Sequence, residues 1–260
     1  MNDSNNKFDI SVYTVELYRE KFRKPQPIGS GLLLKLQSKH LLISAYHVID
    51  MEDERISIEN DADEVDIPQD DMESILAKGV DSFFIVNDNV KAMVWTAHYN
   101  EETNEPTFTD DIEWCICELS EDVVQHFIAK GKSFYVIDKL TVQTIKADSE
   151  IIISGYPKYA QIANQEICRS YKCELIEDFI IDKSGLFRVY LDCDKAFCLE
   201  HDKVIMICIP EGISGMSGGG LWYKSIDNYI PLGIIIKQGQ DYVEGYSIAE
   251  ILKSYIKDKI

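Results

Sequence analysis

The sequence predicts an all-β fold of two packed antiparallel β-barrels, and three observations predict it. Short apolar runs rich in Ile, Val, Tyr and Phe recur along the chain, with turn signals between them. Helical signals are few. The runs also fall into two groups of similar size, one on each side of a helix-forming segment, as two adjoining barrels require.

In chain order the runs occupy residues 32–36, 41–44, 82–86, 91–96, 114–119, 150–154, 187–192, 203–209 and 230–236. Each is too short for an ordinary helix and has the composition of a strand. Gly29-Ser30-Gly31 opens the partner strand of a hairpin with the run that ends at Ser44. Ser120, followed by Glu121-Asp122, predicts an N-cap and a helix to about Lys130, after which Gly131-Lys132 begins the connection to the second group. Apolar residues at helical spacing predict a second helix from Ser247 to about Lys257. The chain therefore divides into a first barrel over 8–120 and a second over 137–260 that carries the C-terminal helix, within a single unit of 1–260. The acidic segment 52–73, with Pro68, reads as a solvated excursion from the first group. Its carboxylates lack the regular spacing and turn glycine of a calcium loop.

Composition narrows the function. Of 260 residues, 45% are hydrophobic and 10% aromatic, enough for one large core or two adjoining ones. The 45 acidic against 26 basic side chains give a formal charge of −19, which repels nucleic acid and anionic membrane surfaces. The first residues have neither the basic start nor the apolar run of a secretory signal, and no stretch reaches the roughly 18 apolar residues of a membrane span. A soluble, cytoplasmic protein is expected.

Seven cysteines, at 115, 117, 168, 173, 193, 198 and 208, form no even framework, so reduced thiols are expected. Cys168/Cys173 and Cys193/Cys198 have zinc-like proximity, with His201 close to the second pair. No C-x-x-C pair or closely spaced histidine pair accompanies them, and buried, inert cysteine is the better reading. No metal or cofactor is expected.

Three segments carry chemistry. The first is Gly212-Ile213-Ser214-Gly215-Met216-Ser217-Gly218-Gly219-Gly220. Attack on an acyl carbonyl needs an exposed hydroxyl and backbone N–H groups aimed at the developing oxyanion. Gly215 can adopt the backbone angles that let its N–H and that of Ser217 converge, while Gly218 and Gly219 leave room for a substrate backbone. Glycine-serine turns are common, and alone this one decides little. The second segment, Leu41-Leu42-Ile43-Ser44-Ala45-Tyr46-His47-Val48, is an apolar strand ending in small residues and a histidine, an arrangement that can aim an imidazole into a cleft. His40, His98, His126 and His201 lack this context and read as structural. The third, Asp110-Asp111-Ile112-Glu113-Trp114-Cys115-Ile116-Cys117-Glu118-Leu119, leads carboxylates into a core strand, where an acid can orient an imidazole.

Histidine, acid and serine in that order resemble the trypsin-like (chymotrypsin-fold) serine peptidases, especially their bacterial and intracellular branch. Ser44-Ala45-Tyr46-His47-Val48 resembles the family's T-A-x-H-V segment, and Gly215-Met216-Ser217-Gly218-Gly219 its G-x-S-G-G segment. Gly155-Tyr156-Pro157 and Leu232-Gly233-Ile234-Ile235 are weaker matches, and the likeness spans about residues 29–250. It implies two six-stranded barrels with the active site between them and endopeptidase chemistry without a cofactor. Ser217 would be the nucleophile, His47 the general base, and the N–H groups of Gly215 and Ser217 the oxyanion hole. The partners would be a protein or peptide substrate and a regulatory protein that restrains the peptidase. The chain order argues against an α/β-hydrolase, in which the acid follows the serine.

The family's acid precedes an apolar residue, a small residue and a strand ending in Leu. Starting that pattern at Glu113 places Trp114, Cys115, Glu118 and Leu119 in register, whereas starting at Asp111 puts Glu113 at the small buried position. Glu113 is favoured and Asp111 is the alternative. Glu211, six residues before Ser217, stands where related enzymes place the base of the primary specificity pocket. There it would favour Lys or Arg unless Lys237 neutralises it. Two further readings share these residues: a catalytically silent binding module, and an acyl hydrolase acting on a non-peptide substrate.

Overall fold

The computed structural model describes residues 9–21, 24–49, 75–78, 84–86, 94–95, 113–138, 145, 149–157, 168–178, 181, 185–192, 196–199, 203–204, 213–225, 228–239 and 242–257. The first half contributes strands β1 (Thr14–Lys21), β2 (Lys24–Leu36), β3 (Lys39–Ala45), β4 (Ile75–Lys78), β5 (Phe84–Val86), β6 (Val94–Trp95), β7 (Trp114–Glu118) and β8 (Tyr135–Ile137). They form one sheet in the order β5-β4-β1-β2-β3-β7-β6, with β8 added parallel to β2 and every other ladder antiparallel. The second half contributes β9 (Glu150–Gly155), β10 (Arg169–Glu174), β11 (Leu186–Tyr190), β12 (Phe197–Cys198), β13 (Lys203–Val204), β14 (Gly220–Lys224), β15 (Tyr229–Gln238) and β16 (Tyr242–Ser247). These pair antiparallel in the order β11-β16-β15-β14-β9-β10-β12-β13. The all-β, two-barrel class predicted from the sequence is the one the chain adopts. Among the described residues each half has eight strands where six were expected, and β5, β6, β8, β12 and β13 are only two or three residues long.

Burial explains why these segments are strands. Leu41 to Ala45 of β3 are buried without a break, as are Ile151 to Gly155 of β9, so both faces of each are covered and an unbroken apolar run is required. β11 alternates instead, with Phe187 and Val189 inward and Leu186 and Arg188 outward. Among the described residues, three short α-helices accompany the strands: α1 (Tyr46–Ile49), α2 (Glu121–Ala129) and α3 (Ile248–Lys257). α2 begins after Ser120 and gives way to Gly131 at φ 79°, a left-handed residue that ends the helix.

Two apolar clusters form the core. One holds Ile151, Ile153, Phe187, Val189, Leu221 and Val243 of the second half. The other gathers the first half around Leu32, Leu34, Ile43, Trp114 and Phe127 and also takes in α3, through Ile248, Ile251, Leu252 and Tyr255. Those four recur at helical spacing and make the buried stripe of α3. Tyr255 adds a hydrogen bond from its hydroxyl to Glu118 Oε2 at 2.9 Å. The connector between the halves is anchored by Lys132, whose Nζ donates to Thr14 O (2.7 Å), Ser11 O (3.2 Å) and Tyr156 Oη (3.2 Å). Burial pulls its pKa down, and the three acceptors retain the ammonium there.

Candidate active site

The register between β3 and β7 brings an acid to the histidine. Ser44 pairs with Cys115 and Ala45 with Trp114, so the residue before Trp114 lies beside the turn after Ala45. That residue is Glu113. The main chains continue the pairing, with Tyr46 N–H donating to Glu113 O at 3.0 Å, and α1 starts at that point. His47 Nδ1 then lies 3.0 Å from Glu113 Oε2, both side chains being under half exposed at 43% and 44%. An ionised carboxylate only accepts, so Nδ1 carries the proton and Nε2 is left as the basic nitrogen. The hydrogen bond from His47 holds the Glu113 carboxyl below its usual range, against partial burial, which acts the other way. The charges of His47 and, more weakly, Lys237 also favour the carboxylate.

The serine loop is pressed against the end of the same strand. The β2–β3 ladder stops at Leu32 opposite Ile43, and beyond it Ser30 N–H donates to Ser217 O at 2.8 Å. Gly218 N–H donates to Ile235 O at 2.7 Å, and Gly219 O accepts from Ile235 N–H at 2.9 Å, which fixes the loop on β15. Gly218 has φ 81°, and a Cβ there would overlap Ser30 O and Ser44 Oγ and stand 3.1 Å from Ala45 N. Only glycine permits this approach. Gly218→Ala is expected to cost about 1–2 kcal/mol from the left-handed backbone alone, with the overlap added. Its melting temperature should fall by at least about 2–4 °C, as thermal denaturation will measure.

Gly215 also lies in the left-handed region, at φ 88°. Among the described residues its N–H and that of Ser217 meet no acceptor, whereas those of Met216, Gly218 and Gly219 bond to Ile213 O, Ile235 O and Met216 O. Among the described residues the two donors expected for an oxyanion are thus open, as is Ser214 N–H. Among the described residues no hydrogen bond joins His47 to Ser217 Oγ.

Of the residues singled out from the sequence, His47, Glu113, Ser217 and Gly215 fall within this one region. Asp111 and Glu211 lie outside the described residues, as do Cys193, Cys208 and His201. Lys237 is exposed at the far end of β15, just past a bulge between Ile235 and Lys237, and its charge acts on Glu113. Sequence reasoning set it only against Glu211 and missed this neighbour. It also missed Ser30 and Ser44, both fully buried, with Ser44 Oγ donating to Ser30 O at 2.7 Å. A signal for Ser44 was present, because a hydroxyl inside an apolar strand needs a partner.

Cys115, Cys117, Cys168, Cys173 and Cys198 are buried thiols, and no group of three or more metal-ligating side chains occurs among the described residues. Burial pushes Cys117 up to about 12 and Cys115 well above the usual thiol value, so neither supplies a thiolate nucleophile near neutrality. Among the described residues no helix is long and apolar enough to cross a membrane.

No protein-family model and no curated protein sequence matches the chain. Solved structures do. The scabies mite inactivated protease paralogue S-I1 is 15% identical with a TM-score of 0.51, over 97% of this chain and 96% of that one. The inactive form of a serine-to-alanine mutant of Rv3671c from M. tuberculosis H37Rv is 10% identical with a TM-score of 0.48, over 95% and 87%. The thermostable serine protease AL20 from an extremophilic microorganism is 11% identical with a TM-score of 0.48, over 95% and 97%. The first of these likenesses establishes the chymotrypsin-like fold. An inactivated paralogue shares that fold, so activity has to be argued from the site.

Proposed function

We propose that the chain is a serine endopeptidase that hydrolyses peptide bonds through an acyl-enzyme at Ser217. The observation that carries this reading is the 3.0 Å contact of His47 Nδ1 with Glu113 Oε2, on a strand end against which the Ser217–Gly218 turn is packed. His47 Nε2 takes the proton from Ser217 Oγ as the oxygen bonds to the substrate carbonyl carbon. The carbonyl electron pair moves onto oxygen, where the N–H groups of Gly215 and Ser217 stabilise it. On collapse the C–N bond breaks and the amine leaves with the proton from His47. Water then adds to the acyl-enzyme by the same steps, with His47 taking its proton and returning it to Ser217 Oγ. Glu113 holds the tautomer and stabilises the imidazolium.

The chain is a protein of the cytoplasm in this reading, of the bacterial, intracellular kind, with peptide or protein substrates and a regulatory protein partner. Neither nucleic acid nor membrane is a partner, consistent with the charge of −19. Glu211 is assigned to the base of the primary pocket by its position six residues before Ser217, and Lys237 is the charge that would neutralise it. Cleavage after Lys or Arg is expected, and Glu211→Gln should abolish that preference in a profile against a peptide library. A profile without basic preference, or one that Glu211→Gln leaves unchanged, removes the pocket assignment.

The activity itself is tested by treating the intact protein with a fluorophosphonate and mapping the adduct by mass spectrometry. Labelling at Ser217 is expected, with turnover of a peptide panel. A second reading, a catalytically silent binding module, is favoured by the missing hydrogen bond between His47 and Ser217 Oγ. Such bonds often tighten only with substrate present. Absence of any adduct decides for the silent module. An adduct at Ser217 with ester turnover but no peptide turnover decides for hydrolysis of a non-peptide substrate.

A further inference from the structure

We propose that Ser30 is the positioning residue that sets Ser217 against His47. The inference rests on the reading of Ser217 as nucleophile and adds a residue to it. Ser30 is fully buried on β2, two residues beyond the last pair of the β2–β3 ladder at Leu32 and Ile43. In place of the β3 backbone, three separate segments meet it, β3 itself only through a side chain. Its N–H donates to Ser217 O at 2.8 Å, which fixes the nucleophile's own carbonyl. Its carbonyl accepts from Ser44 Oγ at 2.7 Å, which ties it to the strand that ends one residue before α1 and His47. Its hydroxyl accepts from Tyr156 N–H at 2.9 Å, which reaches the end of β9 in the second half. The neighbour of Tyr156, Gly155, packs on the residue before the nucleophile, since a Cβ on it would stand 3.0 Å from Met216 Cβ.

The bonds from Ser44 Oγ and Tyr156 N–H are buried, so water cannot replace a lost partner there and the two act together. Ser217 comes from one half and His47 from the other. The separation of Oγ and Nε2 is therefore set by whatever joins the halves at this point, and Ser30 is bonded to both. Proton transfer tolerates little error in that separation, for a displacement near 1 Å costs about 100-fold in rate.

The test compares Ser30→Ala, Ser30→Thr and Ser44→Ala with the parent in the full chain, each corrected for its folded fraction. Ser30→Ala should lower kcat by about 10- to 100-fold with KM within about twofold, and slow fluorophosphonate labelling by the same factor. Ser30→Thr, which keeps the hydroxyl, should recover most of the loss. Ser44→Ala, which leaves Ser30 in place, should give a similar kcat loss and serves alone if Ser30→Ala does not fold. An unchanged kcat per folded molecule, or a loss carried entirely by KM, overturns the proposal.

Amide hydrogen exchange judges it without reference to activity. Removing the Ser30 hydroxyl, or that of Ser44, should speed exchange at Gly218 and Gly219 and leave β10 and β11 unaffected. Faster exchange confined to Tyr156 or to residues 44–46 overturns the proposal. A parent chain that neither labels nor turns over defeats the reading of Ser217 as nucleophile, and the exchange pattern still decides whether Ser30 positions the loop.

Discussion

Ser217→Ala is expected to lower peptide turnover by roughly a million-fold and to abolish fluorophosphonate labelling. The expectation follows from the order of bond making: without Oγ there is no acyl-enzyme, and the remaining donors only bind substrate. The fold should survive, because the contacts that fix this turn belong to backbone atoms. Ser217 O accepts from Ser30, and the next two residues bond to Ile235 and Met216, none of which involves the hydroxyl. His47→Ala should cost a comparable factor. Equal labelling of Ser217→Ala and the parent would mean that another nucleophile acts, with Ser214 the nearest hydroxyl in sequence. A melting temperature unchanged within about 2 °C separates lost chemistry from lost fold.

Glu113→Gln should lower turnover by about 10,000-fold while the protein stays folded. An amide keeps the shape, but it can donate to Nδ1, which selects the tautomer with the proton on Nε2 and leaves no base for Ser217. Titration of Glu113 itself should not contribute to the parent's pH profile above about pH 5. Because the folded-state pKa of Glu113 is held below the ordinary carboxylate value of 4.5, the carboxylate and the pairing it supports are fully present above that value. They are lost only as the pH falls through the lowered value. Asp111→Asn provides the comparison: a severe loss there, with Glu113→Gln active, would transfer the role to Asp111. Severe loss in neither would remove the segment from the mechanism.

The fold class was legible because the strands that build the centre of each half are apolar on both faces. Leu41 to Ala45 and Ile151 to Gly155 are continuous buried runs and announce themselves. β1, β4, β8, β10, β12, β14 and β16 were not read, and of these β1, β10 and β16 carry buried polar groups where an apolar residue is expected. Glu16, Arg169, Ser170 and Ser247 are all nearly inaccessible. A strand stabilised by hydrogen bonds across its neighbours does not show in apolar periodicity.

At the site, local motifs marked His47 and Ser217, and the register of the strand leading to Leu119 put Glu113 ahead of Asp111. The hydrogen bond from His47 falls on Glu113. What could not be read was the joint between these motifs. Ser30 is distant in sequence from Tyr156 and Ser217, and its bonds depend on how the halves come together. The bulge that sets Lys237 at the end of β15 is likewise a property of paired backbones rather than of the residue.

The packing of α3 has a consequence for the order in which the molecule is assembled. Its stripe of Ile248, Ile251, Leu252 and Tyr255 completes the cluster around Trp114, the residue next to Glu113. As the chain leaves the ribosome, the first half emerges early with this cluster uncovered; Ile152, Trp222, Ile234, Ile236 and Tyr246 of the second half cover part of it, and residues 248–257 arrive after them. Contacts so remote along the chain are among the slowest to form. A chain interrupted before α3 carries His47, Glu113 and Ser217 without the packing that this helix adds around Trp114.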